Sequence, residues 1–109
     1  MKYGIKQTYI DQINAVLATY PAVEKVLLYG SRAKGTHSKW SDIDLAFCGE
    51  TMTLSLLMKI ENELDDLLMP YKLDASIFHL IENTDMIEHI NRLGVVFYER
   101  VTNPSQQLQ

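Results

Sequence analysis

The chain has 109 residues, 47% of them hydrophobic and 22% charged, a composition and size that suit one compact domain around a single core. Its formal net charge of −4 opposes long-range attraction to a nucleic-acid backbone, so direct DNA or RNA binding is not expected. Charged residues interrupt every apolar run before membrane-spanning length, Met1–Lys6 lacks a signal-peptide core, and Cys48 is the only cysteine. These features predict a cytoplasmic protein with no membrane contact, no internal disulfide and no cysteine-rich zinc site.

In chain order, Tyr9, Ile10, Ile13, Val16, Leu17 and Tyr20 recur at helical spacing and predict a helix from Lys6 to Tyr20, ended by Pro21. Val23–Tyr29 is a short Val- and Leu-rich run closed by Gly30, which predicts a strand buried on both faces. A second strand is expected at Asp42–Cys48, with Ile43, Leu45 and Phe47 on one face and Asp42, Asp44, Ala46 and Cys48 on the other. Past Gly49, Thr51 or Thr53 can cap a helix running to about Met69. Its expected buried stripe is Leu54, Leu57, Ile60, Leu64, Leu67 and Leu68, with methionines as core filler. Lys72–Phe78 predicts a third strand, with Asp74, Ser76 and Phe78 on one face. Asp85–Leu93 predicts a helix capped by Gly94, and Val95–Tyr98 a last strand. Residues 1–101 form the expected domain, and Thr102–Gln109 a disordered polar tail. Alternating helices and strands imply an α/β (α+β) fold, a small mixed β-sheet with helices packed on it; strand order does not follow from the pattern.

The run from Gly30 to Asp44 concentrates the chemistry. Residues i and i+2 of a strand share a face, with Cα atoms about 6.5–7 Å apart. Asp42 and Asp44 can therefore address one spot, as ligands of hard divalent cations do. Just upstream, the Gly30–Ser31 turn can offer N–H groups and a hydroxyl to a phosphate. Between them lie Arg32, Lys34, His37 and Lys39, a local basic patch suited to a compact anion such as a triphosphate. The ordinary alternative for such a patch is a solvated loop. Transfer at phosphorus commonly uses two metals and so a third acidic ligand. Asp74, set between the apolar Leu73 and Ala75, is the candidate; the alternative is an edge-strand aspartate facing water.

Gly30-Ser31, Asp42-Ile43-Asp44 and the later strand bearing Asp74 together resemble the nucleotidyltransferase fold shared by DNA polymerase beta and its relatives. The run Gly30-Ser31-Arg32-Ala33-Lys34-Gly35 and the short length most resemble the minimal nucleotidyltransferases (MNT) of prokaryotes, and the likeness covers residues 5–100. The resemblance implies that Asp42 and Asp44 ligate two Mg²⁺ ions and that Asp74 completes the one nearest the attacking hydroxyl. It further implies that Gly30 and Ser31 hold the terminal phosphates of ATP, with Arg32 and Lys34 neutralising them. The implied activity is transfer of AMP from MgATP to an acceptor hydroxyl with loss of pyrophosphate. The implied partner is a HEPN-domain ribonuclease toxin, held in a hetero-oligomer and silenced by adenylylation of a tyrosine. Two alternatives stand beside this reading: a non-catalytic nucleotide-binding module that neutralises a HEPN partner by contact, and a small-molecule nucleotidyltransferase.

Other residues take plainer readings. His37 follows Arg32 in an Arg-x4-His spacing like the HEPN ribonuclease motif, but a glycine-containing loop is the wrong setting for that helical family. His79 and His89 read as structural or solvent-facing, and Cys48 as core. Trp40 reads as packing its loop against the sheet, with stacking on a base as the alternative.

Overall fold

A computed structural model describes residues 1–101; the predicted tail at 102–109 lies outside the described residues. The elements are α1 (Gln7–Ala18), β1 (Lys25–Tyr29), α2 (Ser31–Lys34), β2 (Ile43–Cys48), α3 (Leu54–Asp65), β3 (Leu73–Ile77), a 3-10 turn at Phe78–Leu80, α4 (Thr84–Leu93) and β4 (Val95–Glu99). The four strands form one sheet in the order β3-β2-β1-β4. β1 runs antiparallel to both β2 and β4, whereas β2 and β3 are parallel, joined through α3. The sheet is mixed with helices packed on it, as expected, and the structure places them on both faces.

The sheet has unequal faces. Val26, Leu28, Ile43, Leu45, Phe47 and Ile77 point to one side, where Ile10, Ile13 and Leu17 of α1 and Leu57, Ile60 and Leu64 of α3 close over them as the main core. The opposite side holds a smaller cluster in which Ile90 of α4 meets Tyr29 and Ala46. β1 is therefore fully apolar on the main-core side only: Lys25 and Leu27 on the other side are half-buried, which corrects the expectation of a strand buried on both faces.

Two other expectations change. Thr53 caps α3 by accepting the Leu56 N–H at 3.2 Å, but the helix stops at Asp65, well before Pro70. Leu68 then adopts a left-handed φ of 54° to turn the chain toward β3. That turn carries Leu68 out to 87% exposure, and Leu54 and Met58 also lie outside the stripe. Hydrophobicity alone could not distinguish the last apolar residues of a helix from the first of a turn. The second helix cap was not anticipated: the Asn83 side chain accepts the Met86 N–H at 3.1 Å and starts α4 one residue before Asp85.

Candidate active site

The site lies where β1 ends and β2 begins. Tyr29 pairs with Asp44 across the antiparallel β1–β2 ladder, and Asp44 pairs with Asp74 across the parallel β2–β3 ladder. Tyr29, Asp44 and Asp74 thus stand in one row across three strands, and Asp42 lies one pleat before Asp44. Neighbouring strands are about 4.8 Å apart, so Asp44 and Asp74 are set side by side. Asp42 and Asp44 are half-buried, and Asp74 is exposed on the edge strand. The burial argument for Asp74 therefore fails, because Leu73 and Ala75 are only half-buried. What brings Asp74 to the site is strand register.

Burial pushes the Asp44 carboxyl above its ordinary range; the charges of Asp74 and then Asp42 push it further, while the Arg32 guanidinium works in the opposite direction. Tyr29 behaves similarly: burial raises its phenol, the Ser76 hydroxyl opposes this, and Asp74 and Asp44 add to the rise. Among the described residues, no three acidic, histidine or cysteine side chains close into a ready-made metal cage. The carboxylates are instead arrayed along a row.

Gly30 links β1 to α2 with φ +75°. A Cβ at this position would run into the Asp44 carboxylate, so glycine is required both by the backbone angle and by close approach. The turn is tied down by Lys34 N–H donating to Gly30 O at 3.1 Å and Thr36 N–H donating to Ser31 O at 3.0 Å. Ser31 is half-buried and Lys34 exposed. Part of the expected basic loop is thus a short helical turn.

Arg32 is turned into the fold. It is only 2% exposed. Its Nε and Nη2 donate to Ser41 O at 3.2 and 2.8 Å, Nε also reaches Asp42 O at 3.3 Å, and Nη1 donates to Tyr3 O at 2.9 Å. The guanidinium also lies 5.2 Å from the Tyr71 ring centroid. These contacts turn it inward, onto the backbone that delivers Asp42. A planar fork of donors is what several converging carbonyls need.

The loop beyond holds its own shape through Ser38 N–H donating to Ser41 Oγ at 3.0 Å and Trp40 N–H donating to Ser38 Oγ at 3.2 Å. Trp40 is 81% exposed, with Lys39 Nζ 4.9 Å from its ring centroid; it does not pack on the sheet. Cys48 is half-buried rather than core. It lines a cleft of about 440 Å³ with Glu24, Lys25 and Arg100, at the opposite end of β1 and β2 from the carboxylates. His79 is exposed. His89 is not turned to solvent: its Nε2 accepts the Gly30 N–H at 3.2 Å, and its ring meets Tyr29 edge-on with centroids 6.2 Å apart. Its position three residues after Met86 and one before Ile90, on the apolar side of α4, was the available clue.

The sequence matches the family model described as polymerase beta nucleotidyltransferase over residues 11–103. No curated protein matches. Solved structures share the fold: a toxin–antitoxin complex with AMP-PNP (19% identity, TM-score 0.66, covering 95% of this chain and 80% of that one). Another is a tri-AMPylated Shewanella oneidensis HEPN toxin in complex with MNT antitoxin (18%, 0.64, 95% and 79%). A third is the MntA–HepT toxin–antitoxin pair (18%, 0.62, 94% and 79%). The family match spans the whole sheet and every residue of the carboxylate row, and this chain belongs to the polymerase beta nucleotidyltransferase family.

Proposed function

We propose that this chain transfers AMP from MgATP to an acceptor hydroxyl, a tyrosine of a HEPN ribonuclease partner, and acts as the antitoxin of that pair. The observation that carries the reading is the placement of Asp44 between Asp42, just before the same strand, and Asp74 across the parallel ladder, against the Gly30 turn. The similarity to HEPN–MNT complexes supports the choice of partner and a hetero-oligomer.

The donor set fits magnesium. Hard anionic oxygens are its preferred ligands, and a bound cation offsets both causes that lift Asp44, burial first and then the charges of Asp74 and Asp42. Asp42 and Asp44 would hold the ions, with Asp74 as the third ligand. When bound, such ions lower the pKa of the acceptor hydroxyl and stabilise charge on the departing pyrophosphate. The chain's own part is then binding and alignment. Ser31 offers its hydroxyl to the terminal phosphates, and exposed Lys34 supplies positive charge; the Gly30 N–H is already given to His89. Buried Arg32 holds the segment carrying Asp42. No side chain needs to become covalently attached, because the acceptor hydroxyl attacks the α-phosphorus and pyrophosphate leaves.

Intact-mass analysis of the HEPN partner after incubation with this chain and MgATP tests the reading. The expected result is a partner heavier by one or more AMP units that stays silenced once this chain is removed. The Asp42→Ala/Asp44→Ala variant should leave its mass unchanged. Full neutralisation by both proteins without a mass shift would replace transfer with inhibition by contact, and AMP found only on an added aminoglycoside would make the acceptor a small molecule.

A further inference from the structure

We infer that His89 is a positioning residue that sets the phosphate-binding turn against the carboxylates, by accepting the Gly30 N–H. The inference rests on the nucleotidyltransferase reading above. A glycine at φ +75° lacks the side-chain sterics that would hold its own peptide planes. The peptide joining Tyr29 to Gly30 is also where the β1 ladder ends, so the sheet supplies no further partner along the chain. His89 supplies one from outside, with Nε2 3.2 Å from the Gly30 nitrogen. Acceptance at Nε2 uses the lone pair of that nitrogen, which leaves Nδ1 as the ring's N–H donor.

The imidazole is itself held in place. Its neighbour Ile90 is 1% exposed and packs on Tyr29 and Ala46, and its ring edge meets the Tyr29 ring at an interplanar angle of 79°. One α4 side chain thus holds the residue whose backbone lies against the Asp44 carboxylate and which leads into Ser31. Through that contact His89 sets the spacing between the proposed phosphate cradle and the acidic row, without touching substrate.

The test compares His89→Leu, His89→Gln and, as a control, His79→Gln at an exposed histidine outside the site. Leucine retains bulk but accepts no hydrogen bond; glutamine accepts one but has no aromatic ring. Loss of the acceptor from a half-buried N–H should raise the KM for MgATP about tenfold in His89→Leu, with a smaller fall in kcat. His89→Gln should recover most of the loss, and His79→Gln should match the parent. The Gly30 amide resonance should shift in His89→Leu and move back in His89→Gln, a readout independent of turnover. A folded His89→Leu with parental KM and an unmoved Gly30 amide would overturn the inference, as would glutamine failing to rescue. If His89→Leu does not fold, His89→Gln and His89→Asn decide by the same amide shift and KM. Failure of the underlying reading looks different: the parent chain with MgATP would leave its partner's mass unchanged, while the Gly30 amide would still shift in His89→Leu and move back in His89→Gln.

Discussion

The two faces of the sheet are built from the same strands to opposite rules. Toward α1 and α3, every inward residue of β2 is apolar and fully buried: Ile43, Leu45 and Phe47 are 0% exposed. Toward α4, the same strand presents Asp44, then Ala46, then Cys48, and the neighbouring strands add Tyr29 and Asp74. One face supplies stability. The other carries like charges side by side, an arrangement that costs stability and persists where it serves a function. Alternation along β2 allows the two to coexist, because a strand's odd and even residues never share a side.

The comparison can be broken most severely on the stable side. Phe47→Ala would empty the centre of the main core and should cost about 3–5 kcal/mol, read by chemical denaturation. An effect below 1 kcal/mol would mean that this face is not the source of stability. Arg32→Ala comes next, at about 3 kcal/mol, because it leaves the carbonyls of Tyr3, Ser41 and Asp42 without their donor. A purely phosphate-binding arginine would instead lose MgATP affinity at unchanged stability, so paired denaturation and calorimetry separate the two roles. Ser31→Ala should reverse that pattern, weakening MgATP binding by about 1.5–3 kcal/mol with little change in Tm.

The smallest effect has the opposite sign. Asp44 has a folded-state pKa above its unfolded value, so its contribution is complete below the unfolded value and is lost as pH rises through the folded one. Asp44→Asn should therefore melt slightly higher than the parent at neutral pH, and the gap should close below the ordinary aspartate range. Magnesium should narrow the neutral-pH gap by raising only the parent's Tm. A lower Tm for Asp44→Asn at neutral pH would show that the charged row is not under repulsion.

Element types and the Asp42–Asp44 pair were legible because periodicity and i, i+2 spacing are local properties of the chain. The register that sets Asp74 beside Asp44 was not, since a parallel ladder joined through a helix leaves no mark at either aspartate. Arg32 and Lys34 look alike in sequence, yet one is buried under carbonyls and the other faces water; the difference lies in Tyr3, Ser41 and Tyr71, which are distant or unremarkable along the chain. His89 was hidden for a related reason. Its partner is a backbone N–H, and no side-chain pattern announces one.

The sheet order also governs when the site can take shape during synthesis. β1 and β2 are close in sequence and can pair as soon as both have emerged, but β4, the other neighbour of β1, comes last, with Lys25 opposite Glu99. Until Val95–Glu99 arrives, the outer edge of β1 offers unpaired N–H and C=O groups beside apolar Leu27 and Leu28, the kind of edge on which strands of other chains can add. α4 immediately precedes β4, so the helix that covers the chemical face and the strand that closes this edge are delivered together. A nascent chain stopped before them would have Asp42, Asp44 and Asp74 but not His89, and would carry an open sheet edge in place of a finished one.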